Sequence, residues 1–172
     1  FETPTTTELV NRPGQSGGFN PELDPQRTHG IEIGTRGVWA DADVQFDIAA
    51  YQLWVNERLV SFEIPDSGGR AYFQNVGENT HRGVELAVQW DPQPWLALET
   101  SYTANRIVFD GTDALDGNRV PGVPDQRFTA QATAERGLMW MRLSWTAVDS
   151  YFANNANTAR VDGYALADLR VG

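Results

Sequence analysis

Apolar and polar residues alternate with a period of two through seven separate stretches of this chain. In 29–39 one set is Ile31, Ile33, Thr35, Gly37 and Trp39, and the other holds Glu32, Gly34 and Arg36. In 43–51, Val44, Phe46, Ile48 and Ala50 oppose Asp43, Gln45 and Asp47. The same split sets Val84, Leu86, Val88 and Trp90 against Glu85 and Gln89, and Leu96, Leu98, Thr100 and Tyr102 against Glu99. Phe128, Ala130, Ala132 and Ala134 oppose Arg127, Gln131 and Glu135. The last two stretches pair Met139, Met141, Leu143, Trp145 and Ala147 with Arg142, and Ala165, Ala167, Leu169 and Val171 with Asp168 and Arg170. Side chains alternate across a strand, so these are β-strands with one face withdrawn from water. Thirty positions on the apolar side carry no charge while the other side carries eleven, a contrast that freedom in choosing each parity does not create.

The connections sort by length. Trp39 to Asp43, Asp91–Pro94 and Arg136–Gly137 are tight turns bearing Asp, Pro or Gly. Those near Trp54–Gln74, Asn105–Asp125 and Asp149–Gly163 are long, and Phe1–Pro25 is irregular apart from one short helical turn in Thr5–Val10. Short turns at one end of an antiparallel meander and long loops at the other match outer-membrane barrels. Trp39, Trp90 and Trp95 fall beside the short turns; Tyr51, Trp54, Tyr72, Phe73, Phe109, Tyr151 and Phe152 fall near the long loops. Rings at both levels suit two membrane interfaces, although aromatics favour strands in any setting. Seven strands are one short of the smallest natural membrane barrels, so the expectation is a piece of a larger wall.

Composition narrows the field. No run approaches the ~18 apolar residues of a membrane helix, which leaves a spanning barrel open. The net charge of −10 argues against nucleic acid as partner. All 13 basic residues are Arg, which with the acidity suits a saline medium, although a GC-rich genome produces the same bias without any physical cause. The chain has no cysteine, which removes disulfides, thiol catalysis and thiolate metal sites.

Chemistry is sparse. His29 and His81 each precede a strand glycine without a ligand set around them, so no metal site is expected. The loop Asp110–Asn118 offers oxygen ligands but not the spacing of a calcium-binding loop, and reads as an acidic solvated loop. Ser101, Ser144 and Ser150 lack a nucleophile elbow, and no phosphate-cradling glycine loop is present; no cofactor is implied. Asn75, Asn79, Arg119 and Asn154 are the candidate ligand contacts at the long-loop end, although Asn-rich loops also simply make turns.

Five segments then carry a resemblance. Phe1-Glu2-Thr3-Pro4-Thr5 with Glu8-Leu9 resembles the F-x-x-P-T…E-L stretch of TonB-dependent outer-membrane receptors. Asn20–Gln26 followed by Ile31-Glu32-Ile33-Gly34 is similar to their N-P-x-L-x-P-E…y-E-x-G stretch, with Gln26 where Glu is commoner. Gln74-Asn75-Val76-Gly77 with Arg82-Gly83-Val84-Glu85-Leu86, Val120–Pro124 with Arg127-Phe128, and Tyr164–Arg170 resemble later motifs of the same family, in family order.

The resemblance implies an all-β antiparallel meander of about seven strands within a roughly 22-stranded transmembrane barrel. Residues 1–172 would form one partial barrel segment, with the plug domain, early strands and final strands outside it. It implies uptake of a ferric siderophore or similar scarce nutrient across the bacterial outer membrane, with no bond-making chemistry. The implied partners are that ligand, the parent chain's plug, outer-membrane lipid and the energy-coupling protein TonB, reached through segments outside this chain. Glu32, Arg36, Glu85, Glu99, Arg127 and Arg142 would face the lumen, pairing with the plug or solvating the wall. Gly34, Gly77 and Gly83 would permit bulges or close approach of another backbone, such as the plug. The rival is a soluble β-sandwich binding module, for carbohydrate for instance, in which the apolar face is a core.

Overall fold

A computed structural model describes residues 1–10, 12–13, 18–65, 68–111 and 115–172. The strands are β1 (Arg27–Trp39), β2 (Val44–Glu63), β3 (Ala71–Gln93), β4 (Leu96–Asp110), β5 (Gln126–Arg136), β6 (Met139–Val148), β7 (Tyr151–Phe152), β8 (Arg160–Val161) and β9 (Tyr164–Val171). Seven form one sheet in the order β1-β2-β3-β4-β5-β6-β9, every pair antiparallel, while β7 and β8 make a small ribbon inside the last long connection. A single helical turn, α1 (Thr6–Leu9), precedes them; the Glu8 carboxylate accepts hydrogen bonds from the Thr5 N–H (2.6 Å) and hydroxyl (2.8 Å).

The pairing register tests the alternation independently, because directly opposed residues share a face. One row runs Thr35, Ile48, Leu86, Tyr102, Phe128, Ala147, Ala165 across all seven strands. The next runs Gly37, Phe46, Val88, Thr100, Ala130, Trp145, Ala167, and the one after it Trp39, Val44, Trp90, Leu98, Ala132, Leu143, Leu169. The apolar sets of seven strands are therefore one continuous face. From the row of Leu96 to the row of Ala104 the charge-free band measures ~26 Å along β4 at ~3.3 Å per residue, or ~20 Å along the membrane normal at a tilt of ~40°.

This face is not a core. Ile33 is 79% exposed, Val171 70% and Leu169 64%, and among the described residues no second sheet lies over them. The buried apolar residues among those described are Leu23, Val55, Tyr72, Phe109 and Val120, all toward the long-loop end. A β-sandwich needs two apolar faces packed ~10 Å apart. The sandwich reading fails on that point.

Three details correct the sequence reading. Strands β2, β3 and β4 continue well beyond the alternating stretches, so the β2–β3 connection is only residues 64–70 rather than Trp54–Gln74. Phe109 is not an interface ring; at 1% exposure it forms the loop-end cluster with Val120, against which Val60, Ile107, Leu115 and Val123 pack. Strict alternation would turn Val60 to the opposite face from Phe109. The opposed residues Glu57 (φ 57°) and Gly77 (φ 23°) break the ladder between Asn56–Glu78 and Arg58–Val76, and that break resets the alternation.

The strand glycines serve side chains of neighbouring strands of this sheet. A Cβ on Gly83 would come within 2.7 Å of the Tyr51 hydroxyl and 2.8 Å of both its Cζ and the Ala104 carbonyl oxygen. Gly37 likewise lies under the Phe46 ring, and Gly34 against the Ile48 carbonyl. Gly83→Ala is expected to destabilise the sheet by about 1–3 kcal/mol, the usual cost of overpacking. Denaturant unfolding in detergent measures it. Tyr51→Ala made first should remove part of that cost but not all, because the Ala104 carbonyl stays.

Candidate functional site

The face opposite the apolar band is mostly polar. Its rows read Arg36, Asp47, Ala87, Ser101, Thr129, Thr146, Leu166 and Val38, Gln45, Gln89, Glu99, Gln131, Ser144, Asp168. All of these but Leu166 and Asp168 line an open trough of about 690 Å³. Hydroxyls and amides bond across it: Ser101 to Thr129 at 2.5 Å and Ser144 to Gln131 at 3.4 Å.

All six charged candidates, Glu32, Arg36, Glu85, Glu99, Arg127 and Arg142, lie on this face by register. The structure does not gather them into a cluster. Glu85 and Arg127 share a row but are separated by Thr103 of the strand between them. Arg142 donates to the Thr133 hydroxyl (3.3 Å) and directly opposes Arg170. Among the described residues the ion pairs are Arg12–Glu22 (4.0 Å) and Arg119–Asp125, so none of the six is neutralised by a neighbour in its own sheet. Gln45, Gln89 and Gln131, which the alternation puts on this side, complete the polar wall together with Ser144, which the same alternation could have found.

At the long-loop end, asparagine side chains hold the connections together. Asn75 accepts from the Asp24 N–H (2.8 Å) and donates to the carbonyls of Asp24 (2.9 Å) and Glu57 (2.7 Å), tying the N-terminal segment to the β2–β3 hairpin at its ladder break. Asn157 accepts from the Arg119 N–H (2.7 Å) and donates to the Arg119 carbonyl (2.8 Å), so its amide pairs with that residue as a second strand would. Asn118 donates to the Asn155 carbonyl (3.0 Å), and Gly122 to that of Phe152 (2.8 Å). The β4–β5 and β6–β9 connections are thereby one unit.

Three of the four candidate ligand contacts hold the chain's own loops. Asn75 and Arg119 are pinning points. Asn154 folds its own loop, accepting from Thr158 N–H (3.0 Å) and Ala159 N–H (3.3 Å). Asn79 is 1% exposed between Val55 and Phe109, beneath the loops rather than on them, and both of its amide atoms are unpartnered. Asn157, which does most of the loop joining, stands in the Asn-rich stretch 154–157 that reads as ligand contact or, more simply, as a turn; nothing local marks a partner 38 residues away. Half-buried Arg58, on the loop side of the ladder break, has its guanidinium pulled below the usual range by burial. The two histidines lie on opposite faces: His29 stacks on Trp54 (5.4 Å) in an outer row, and His81 occupies an inner one. Residues 112–114 of the acidic loop are outside the described set.

One face fit only for hydrocarbon, an opposite polar trough, and sorted turns define the wall of a transmembrane β-barrel. The comparisons agree. The family model for the TonB-dependent receptor-like β-barrel matches residues 1–172, and the chain belongs to that family, whose members reside in the outer membrane of Gram-negative bacteria. The ferrioxamine receptor of Yersinia enterocolitica is 26% identical over 151 residues, covering 87% of this chain and 21% of that protein. The ferric yersiniabactin uptake receptor of Yersinia pestis has the same fold with a TM-score of 0.72 at 22% identity, over 86% of this chain and 22% of that one. A copper transporter, OprC, superposes with a TM-score of 0.78 at 17% identity, over 99% and 28% of the two chains. The chain thus spans about a fifth of the curated relative's length.

Asn157→Ala should orphan both backbone groups of Arg119, at a local cost of about 1–3 kcal/mol. The expected readout is faster trypsin cleavage after Arg119, with the strands of the sheet equally protected. Asn157→Asp, which keeps the acceptor, should fall between the two.

Proposed function

We propose that this chain supplies wall strands and extracellular loops to an outer-membrane receptor that imports a ferric siderophore or a similar scarce nutrient. The observation that carries this reading is the single sheet with a charge-free face of ~20 Å and a mostly polar face behind it. The polar face suits a water-filled lumen in which a plug of the parent chain sits. Glu32, Arg36, Glu85, Glu99, Arg127 and Arg142, unpaired within the sheet, are the groups that plug residues of opposite charge would meet. The knitted loops make the surface that a ligand meets first. Selection of the cargo then follows from loop shape together with the plug, and energy enters through TonB acting on segments outside this chain. Binding and gating, without bond-making, describe the whole task.

Spin labels placed singly at positions 96–103 of the receptor in lipid test the wall. Even positions should collide with dissolved oxygen and odd positions with a water-soluble nickel chelate. Uniform exposure to the chelate defeats the wall reading. Deleting the parent gene should abolish accumulation of one radiolabelled ferric siderophore, and retention of every siderophore tested defeats the cargo assignment.

A further inference from the structure

Arg82 and Arg106 are direct cross-strand partners in the β3–β4 ladder. Their row, Ile31, Gln52, Arg82, Arg106, belongs to the outer face and sits immediately on the loop side of the row Ile33, Ala50, Val84, Ala104 that ends the apolar band. Both arginines are exposed, and among the described residues neither makes an ion pair. Like charges directly opposed on a sheet repel, with Cβ atoms about 5 Å apart. The nearest acids on the same face of these strands, Glu78 and Asp110, are themselves opposed, four residues further from the membrane, where the Asp110 carboxylate accepts from the Thr80 hydroxyl; Glu85, closer along β3, is on the opposite face. A doubled positive charge thus lies between an acidic collar and hydrocarbon, on a chain of net charge −10.

Beneath it on the same face, an open groove of about 380 Å³ crosses β3 to β6. Small residues Ala130 and Ala132 form its floor, and Val88, Trp90, Leu98 and Trp145 form its sides. Glu99 and Gln131 also border it, but by register their side chains belong to the opposite face, and its one hydroxyl, on Thr100, is spent on the Thr129 carbonyl (3.2 Å), so the groove offers mostly carbon to its occupant.

We infer that Arg82 and Arg106 together bind the phosphomonoester of an outer-leaflet lipid whose acyl chain descends into the Trp90–Trp145 groove. Two guanidiniums side by side match a group carrying −1.5 to −2 charges better than a phosphodiester with one, and each fork can engage two of its oxygens. The site rests on the membrane-wall reading, because only in a bilayer does the groove have hydrocarbon for its medium. Thr100 lies six residues from Arg106, ~20 Å along the strand, a span that a lipid tail hanging from the phosphate covers.

Native mass spectrometry of the full receptor in neutral detergent, titrated with a bisphosphorylated lipid A, is the test. Arg82→Gln/Arg106→Gln should weaken binding of one lipid about tenfold or more, the loss of charge-assisted bonds to one phosphate. Arg82→Lys/Arg106→Lys should retain part of that affinity, and a lipid A stripped of phosphate should bind wild type and the Gln variant alike. Inorganic phosphate at millimolar concentration should not displace the lipid. The proposal is overturned if the Gln variant binds like wild type, if the dephosphorylated lipid matches the phosphorylated one, or if free phosphate competes fully. Heat-modifiable gel migration and outer-membrane fractionation of each variant report insertion separately; a receptor that inserts yet ignores the phosphate sinks this site alone, whereas one absent from the membrane sinks the wall reading beneath it.

Discussion

The constraint on which this structure depends is register. A strand paired one residue out of step would turn its whole apolar set to the wet face and its charges to the dry one. Here seven strands keep step, so that Thr35, Ile48, Leu86, Tyr102, Phe128, Ala147 and Ala165 fall on one line. In hydrocarbon the cost of a slip is severe, because neither a bared backbone amide nor a carboxylate finds water there. The tight turns enforce the step locally. Asp43 takes a left-handed conformation (φ 51°) after the turn 40–42, and Gly137 does so (φ 65°) between β5 and β6. The bulge between Trp90 and Gln93 absorbs the one irregularity at that end, below the membrane band.

The strands were legible because hydrocarbon on one side and water on the other impose the strongest possible alternation. Each of the seven stretches is a strand, on the faces that their charges indicated. What lay beyond the band was hidden for a physical reason. Once both faces of a hairpin are in water, alternation carries no penalty, and β2 and β3 continue through Asn56, Glu57, Arg58 and Glu78 with no pattern to announce them. The paired left-handed residues Glu57 and Gly77 then invert the facing, which no period-two reading anticipates. The charged wall residues were legible for the same reason as the strands. The loop asparagines were not, since Asn75 and Asn157 act through partners 51 and 38 residues away. The glycines were visible: Gly34 and Gly83 do lie against backbone carbonyls, those of neighbouring strands, while the Tyr51 ring over Gly83 left no mark in the pattern.

Charge is zoned along the strands as well as across them. The trough holds both signs, with Arg36 directly opposite Asp47 and Glu99 facing the neutral Gln131. The loop end is acidic through Glu78, Asp110 and Asp125, with Arg119 tied to the last of these. The band between carries none. Arginine is the sole cation throughout, and its low hydration and planar fork suit positions where a charge meets a lipid or a carboxylate rather than open water. Arg82 and Arg106 stand where the zones meet.

Two solvents divide the work of holding the chain together. In the band the apolar side chains gain nothing from leaving water, since lipid tails are as apolar as they are, and cohesion comes from the ladder and from close packing such as Phe128 on Trp145 (5.4 Å). Outside the band water returns, and with it the hydrophobic effect. There, and only there among the described residues, the molecule builds a conventional core, Phe109 on Val120 with Ile107, Leu115 and Val123 around them. So few residues bury too little area to fix long loops alone, which is why asparagine amides must pair with backbone across the connections. The loop end is therefore the part of the molecule whose order is set locally and cheaply. Loops fixed in this way can change their exposed residues without disturbing the register below, and a single wall design can then serve receptors for different cargoes.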